Sequence, residues 1–311
     1  MAQKRIRCMR YSKFIEEVKC EVRKELGESV GVVSYPVRKN NGAVYEGLVI
    51  MDNRVNVSPT IYLNPYYHRY IDGVSIEEII EDILRVYKEN IPTEDFDIKS
   101  FIEFDNAKEH IIMKLVNTER NEEFLKEVPS IPFYDLSLVF LVDVSKYMGD
   151  FATILIHDQH MKLWDVTVED LYELAKENTP KHLVPRLDDL HDVYEYISGE
   201  ELPFMKEVGI KILTNHLHIH GATCIAYPEI LKELYSIIEG SFYIIPSSIH
   251  EVLIFPEKTM PDGYTLEDID VMVRQVNKTE IKNEEVLSDH AYLFDGEKLI
   301  WEQEEIESQE E

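Results

Sequence analysis

Residues 136–144, LSLVFLVDV, are a nearly unbroken apolar run of strand length. A strand with one wet face alternates apolar and polar residues, because successive side chains point to opposite faces. This run does not alternate, so it predicts a strand buried on both faces. Residues 151–157, FATILIH, read as its neighbour across the turn Met148-Gly149-Asp150. Helices are marked by three capping boxes, Ser75-Ile-Glu-Glu78, Thr167-Val-Glu-Asp170 and Thr265-Leu-Glu-Asp268. Each places a hydroxyl at the helix start and an acid three residues on. They predict helices running to Asn90, Asn178 and Asn277.

The first part of the chain reads α-β-β-β-α. Phe14, Ile15, Val18, Val22 and Leu26 recur at steps of three and four, predicting an amphipathic helix over 11–28 with Gly27 at its end. Residues 30–37 and 43–51 read as strands around Lys39-Asn40-Asn41-Gly42, where Asn-Gly supplies positive φ cheaply. A third strand is expected over 57–63. Ile79, Ile80, Ile83, Leu84 and Tyr87 form the inward stripe of the next helix. Residues 96–127 read as mostly helical and mixed in charge. Further on, 208–215 and 223–227 read as strands, and Pro228 and Gly240 bound a helix. Residues 242–246 and 251–256 form a hairpin, and 291–294 with 298–301 a small terminal one. The expected class is α+β. Its parts are an N-terminal α-β-β-β-α unit (1–95), a helical connector (96–130), a C-terminal α/β unit (131–301) and a disordered acidic tail (302–311).

Charge narrows the function classes. Sixty acids against 32 bases give a formal charge of −28 over 311 residues. Nucleic acid held in a basic groove is not expected of such a chain, nor is direct attraction to anionic lipid. No run of 18 uncharged apolar residues is present, so no membrane span is expected. The basic start, MAQKRIRCMRYSKF, lacks the apolar core of a secretory signal. Cys8, Cys20 and Cys224 are too few and too scattered for a disulfide framework or a thiolate metal site. A soluble, cytoplasmic, acidic protein is expected. The charge is uneven: residues 1–54 hold eleven bases and seven acids, so the remainder carries −32. The tail EQEEIESQEE has six glutamates and no base. Such a surface keeps a protein soluble, meets a basic partner or imitates nucleic acid.

Several segments together carry a family likeness: VRKNNGAVYEGL (37–48), SPTIYLNPYY (58–67), SIEEII (75–80), ATILIHDQHMKLWDVTVEDLYELAKENTP (152–180), GATCIAYPEIL (221–231), FYIIPSSIHEVLIFP (242–256) and LSDHAYLFD (287–295). In order and wording the chain resembles, nearly end to end, the domain-of-unknown-function 5688 family of gut-type anaerobic bacteria. LWDVTVEDLYELAKENT and IPSSIHEVLI are also faintly similar to the domain-of-unknown-function 1444 family. The first resemblance implies an accessory role on mobile and conjugative elements. It implies no reaction, and it supplies no catalytic residues.

Phosphate-cradling loops, a nucleophile elbow, H-E-x-x-H and C-x-x-C are all absent from the sequence. His216-Leu-His-Ile-His220 is the most chemical-looking run. On a strand, His216, His218 and His220 share a face with neighbours about 6–7 Å apart, so two of them can share a zinc, nickel or copper ion. The plainer reading is a polar strand edge. His157, Asp158 and His160 close a strand and open a helix. His157 is then a candidate general base oriented by Asp158, or both are turn residues. Ser248, His250 and Glu251, with Ser247, set hydroxyls, an imidazole and a carboxylate in one hairpin. Ser288-Asp289-His290 repeats the combination. Neither run has a visible oxyanion hole, and turn chemistry explains both as well. Tyr62, Tyr66, Tyr67 and Tyr70, beside His68 and Arg69, predict a binding surface, because tyrosine gives large contact area at low entropy cost. Core packing competes for the same tyrosines. No cofactor is expected.

The leading expectation is a non-catalytic protein-binding module of a bacterial mobile element, with an unidentified protein partner. A histidine-dependent or metal-dependent hydrolase is the second; it requires His157, Asp158, Ser248, His250 and His290 in one cleft. The third is an acidic nucleic-acid mimic that blocks a DNA-binding protein. It requires carboxylates in a continuous stripe at a phosphate-like spacing of about 7 Å.

Overall fold

The structure is a computed structural model that describes residues 9–27, 29–53, 55–92, 97, 99–148, 151–261 and 263–301. The expected acidic tail, 302–311, lies outside the described residues. The class is α+β, with helices beside antiparallel sheets. Two compact units are present. Unit 1 comprises Met1–Lys39, Ala43–Ile98 and Tyr147–Asp150; unit 2 comprises Asn40–Gly42, Lys99–Lys146 and Phe151–Glu311.

In unit 1 the strands Gly31–Arg38, Val44–Met51 and Thr60–Tyr62 form an antiparallel sheet in that order. The register of the first pair runs from Gly31 opposite Met51 to Arg38 opposite Val44. The third strand is shorter than expected. Leu63 already opens the helix Leu63–Ile71, with Pro65 in its first turn, where a missing N–H costs nothing. Helices Tyr11–Leu26 and Ile76–Asn90 complete the unit. The Ser75 hydroxyl accepts the Glu78 N–H at 3.2 Å, as its capping box predicts. The stripes expected to face inward do so. Phe14, Val18, Val22, Ile79, Ile80, Ile83, Leu84 and Tyr87 are buried with Val32, Leu48, Ile50, Ile61 and Leu63 in one core.

In unit 2 the strand Leu136–Asp143 is buried at every position except Asp143. Ile111–Asn117 pairs with it along its whole length on one side. Its other side is shared by Ser130–Phe133 and Thr153–Leu155. The outer edge of Ile111–Asn117 would leave backbone N–H groups without partners. Thr179, on the helix Val168–His182, accepts the Met113 N–H at 3.0 Å. Thr223 accepts the Leu115 N–H, also at 3.0 Å.

The expected helical connector over 96–130 is corrected here. Its centre is the strand Ile111–Asn117, and its residues from Lys99 to Ser130 belong to unit 2. Charged residues on both sides concealed the run IIMKLV, which only Lys114 interrupts.

A second, six-stranded antiparallel sheet has the order Leu299–Ile300, Tyr292–Phe294, Phe242–Ser248, Glu251–Pro256, Lys211–Asn215, Pro185–Asp189. The two expected hairpins are present in it. The strand expected over 223–227 is instead a 3-10 helix, Gly221–Ala226. Pro185–Asp189 and the helices Leu190–Ser198 and Pro203–Val208 carry no earlier expectation. Among the described residues no helix is long and apolar enough to cross a membrane.

Candidate functional site

The helix Leu63–Ile71 sorts the expected binding tyrosines by helical phase. Positions 67 and 70 lie on the side of buried Leu63 and turn inward. The Tyr67 ring sits 4.8 Å from Tyr11 and 5.2 Å from Phe14, and its hydroxyl donates to the Met9 carbonyl at 2.9 Å. Tyr70 lies 5.4 Å from Phe14. These two rings pack against the core, and Tyr66 touches it too.

Tyr62, Tyr66 and Arg69 line an open groove of about 510 Å³, together with Val86 and Asn90 of the helix Ile76–Asn90. Its residues are held before any partner arrives. Arg69 Nη1 pairs with Asp82 Oδ2 at 2.6 Å, and the guanidinium lies 5.8 Å from the Tyr66 ring centre. Burial, and then the Asp82 charge, push the Tyr66 hydroxyl above its ordinary pKa, so it stays a neutral donor. Lys39 Nζ stands 3.7 Å above the Tyr62 ring, and Tyr45 meets that ring edge-on at 5.8 Å. The groove therefore offers two tyrosine side chains and an oriented guanidinium.

The catalytic candidates are distributed among separate sets of partners. His157 precedes the helix Asp158–Trp164, its N–H is accepted by His160 Nδ1 at 3.0 Å, and its own Nδ1 faces the Glu127 carbonyl. His160 packs edge-on against Phe101 at 4.9 Å. Burial, and then His157, lower its pKa. Asp158 lies exposed in the first helical turn, where the helix dipole favours an acid.

His250 sits in the turn between Phe242–Ser248 and Glu251–Pro256. Its N–H donates to Ser248 Oγ at 3.0 Å, and its Nδ1 accepts the His220 N–H at 3.3 Å. Glu251 accepts from Ser247 at 3.5 Å. His290 Nδ1 contacts Asp270 Oδ2 at 2.8 Å, a bond that raises the imidazole pKa. Fully buried Ser288 donates to Asp135 at 2.6 Å rather than to an imidazole. Among the described residues, no hydrogen bond or ring contact joins His157, His250 and His290 to one another.

The shared face expected for His216, His218 and His220 is corrected. The strand ends at Asn215, and buried Asn215 organises the loop that follows. Its Oδ1 accepts the Leu217 N–H at 3.0 Å, and its Nδ2 donates to the Ile219 carbonyl at 2.7 Å. His218 and His220 adopt positive φ, 54° and 52°. The side chains no longer alternate as on a strand: His216 and His218 are exposed, while His220 turns inward to stack on His250, with ring centres 6.0 Å apart. Gly221 must follow, because a Cβ there would stand 2.2 Å from Thr214 Oγ1 and 2.3 Å from the His250 carbonyl oxygen. Among the described residues no group of three or more His, Cys, Asp or Glu is placed to hold a metal ion.

Two polar clusters were not anticipated. Asp143, His182 and His110 gather at the end of the buried strand. The His110 ring lies edge-on to His182 at 5.4 Å, and burial, then the His182 charge, lower its pKa. Asp143 is the one acid in LSLVFLVDV, and an acid closing a buried strand needs a cation; that was the available signal. The second cluster is an asparagine network. Asn41 and Asn121 bond reciprocally at 2.9 and 2.8 Å, and Asn117 donates to the Leu287 carbonyl at 3.0 Å. The Asn-Gly turn marks Asn41 for its backbone, but nothing in composition or spacing marks its partners Asn121 and Asn117.

The chain belongs to a family of unknown function, DUF5688, whose match covers residues 11–296. No curated protein and no solved structure matches it.

Proposed function

We propose that this member of DUF5688 is a non-catalytic protein-binding module, an accessory protein of a bacterial mobile element that acts in the cytoplasm. The groove of Tyr62, Tyr66 and Arg69 is the observation that supports the reading. Tyrosine and arginine are the residue types that dominate binding energy at protein interfaces. Here the guanidinium is already oriented by Asp82 and Tyr66, so less side-chain freedom is lost on binding. The hydrolase reading has less support, because Ser288 bonds Asp135 and His157, His250 and His290 each bond a different set of neighbours.

A photo-crosslinking tyrosine analogue placed at position 66 in living cells tests the proposal. A discrete protein adduct is expected from position 66 and not from position 172, with Arg69→Ala abolishing it. Identical adduct patterns from both positions would rule the groove out as a binding face.

A further inference from the structure

Among the described residues, the three most exposed large apolar side chains are Tyr196 (90%), Ile197 (77%) and Phe204 (62%). They fall within nine positions of one another. Tyr196 and Ile197 end the helix Leu190–Ser198, Gly199 closes it with φ 70°, and Phe204 lies in the first turn of Pro203–Val208. The two helices pack together. A soluble surface scatters its exposed apolar groups, so three large ones on adjoining helices mark an interaction face.

The charge around this face says what covers it. Asp192, Glu195, Glu200, Glu201 and Glu207 are all exposed in the same stretch, residues 190–208, against Lys206 alone. Glu195 has His191 at 4.0 Å, and the other four acids have no ion-pair partner among the described residues. The neighbouring Asp188 and Asp189 are already paired with Arg186 and Lys211. A second copy of the chain would bring the same acids face to face, and like charges juxtaposed at an interface are costly. We propose that this face docks a cationic amphipathic segment of another protein. Its apolar side chains would cover Tyr196, Ile197 and Phe204, and its lysines or arginines would meet the surrounding carboxylates. This surface shares no residue with the Tyr66 groove, and the proposal stands without it.

The probe is a fluorescein-labelled, helix-forming Leu/Lys peptide titrated into the full chain at about 0.15 M salt. The triple variant Tyr196→Ser, Ile197→Ser, Phe204→Ser keeps the net charge and should weaken binding about tenfold or more. Unchanged affinity would overturn the proposal, since the peptide would then be reading acidity alone. If the triple variant loses its circular dichroism signal, Ile197→Ser alone serves, with weaker binding expected. Asp192→Asn, Glu200→Gln, Glu201→Gln should weaken binding more than the equal charge change Glu169→Gln, Glu177→Gln, Glu239→Gln. Equal effects would also overturn it. So would a dimer in sedimentation that the serine variant dissociates, because a second copy would then be the occupant.

Discussion

The imidazole of His182 lies 2.9 Å, Nδ1 to Oδ2, from the carboxylate of Asp143. Its other nitrogen lies 3.0 Å from the Glu109 carbonyl oxygen. Both ring nitrogens face acceptors, and only the doubly protonated imidazolium donates to both. Hydrogen bonding to Asp143 raises the His182 pKa above its ordinary 6.5. Burial works against the Asp143 charge, but bonds from His182 and Ser145 outweigh it and hold the carboxyl down at about 2, against an ordinary 3.8.

The pair sets a pH window. The His182 contribution to stability is complete below about pH 6.5 and is lost as pH rises through the raised folded value. The Asp143 contribution is complete above about pH 3.8 and is lost as pH falls towards about 2. The pair is therefore strongest between those limits. In urea, the stability advantage of the wild type over His182→Asn should shrink between about pH 5.5 and pH 9. An advantage equal at both values would show that folding leaves the imidazole pKa unshifted, and one that grows with pH would show it neutral in the fold. Asp143→Asn should cost about 2 kcal/mol near pH 6.

Tyr66 and Tyr67 are neighbours in sequence with opposite expected behaviour. Tyr67→Ala removes a ring packed on Tyr11 and Phe14 and a bond to the Met9 carbonyl. It should lower unfolding stability by about 3 kcal/mol. Tyr66→Ala should cost nearer about 1 kcal/mol, because its ring lines the groove. Chemical denaturation of both variants separates the core role from the groove role.

Asn41 combines a conformational and a bonding requirement. Its φ is 55°, and its Nδ2 donates to the carbonyls of Asn283 and Val286 at 2.6 and 2.7 Å. Asn41→Ala should cost about 2–4 kcal/mol, since it loses the buried bonds and strains the left-handed backbone. Asn41→Gly relieves the strain but not the lost bonds. It should recover about 1 kcal/mol of that cost, read as a midpoint difference in denaturant.

Ser288 should behave as a buried structural donor. Its hydroxyl and that of Tyr292 both bond to Asp135. A serine-directed fluorophosphonate should leave Ser288 unmodified in the folded protein, as peptide mapping would reveal. Ser288→Ala should cost about 1–3 kcal/mol, because Asp135 is left with one hydroxyl fewer at a site where burial already raises its pKa.

Much of the fold is legible because its signals are local. A capping box needs four residues, the Asn-Gly turn two, and the stripe from Ile79 to Tyr87 one helix face. Each is decided by backbone sterics or by the period of a single element. The apolar strand Leu136–Asp143 is legible for the same reason, since a run without alternation can only be buried on both faces. The tyrosine cluster is half legible. Its composition marks contact area, but only the phase of Leu63–Ile71 sends Tyr67 inward and leaves Tyr66 in the groove.

The rest depends on partners distant in sequence. The histidines at 216–220 follow strand spacing until Asn215 folds the loop onto itself, an event that alternation cannot encode. Asp143 finds His182 39 positions away, and Asn41 finds Asn121 80 positions away. The sequence by itself determined the class, the sign of the net charge and those elements with a strong local signal, because propensity, periodicity and net charge are sums over near neighbours. Tertiary structure alone decided which polar side chains became structural ties and which stayed on the surface. A buried carboxylate, amide or imidazole is tolerated only where packing brings up its bonding partner, and no local pattern fixes that partner in advance.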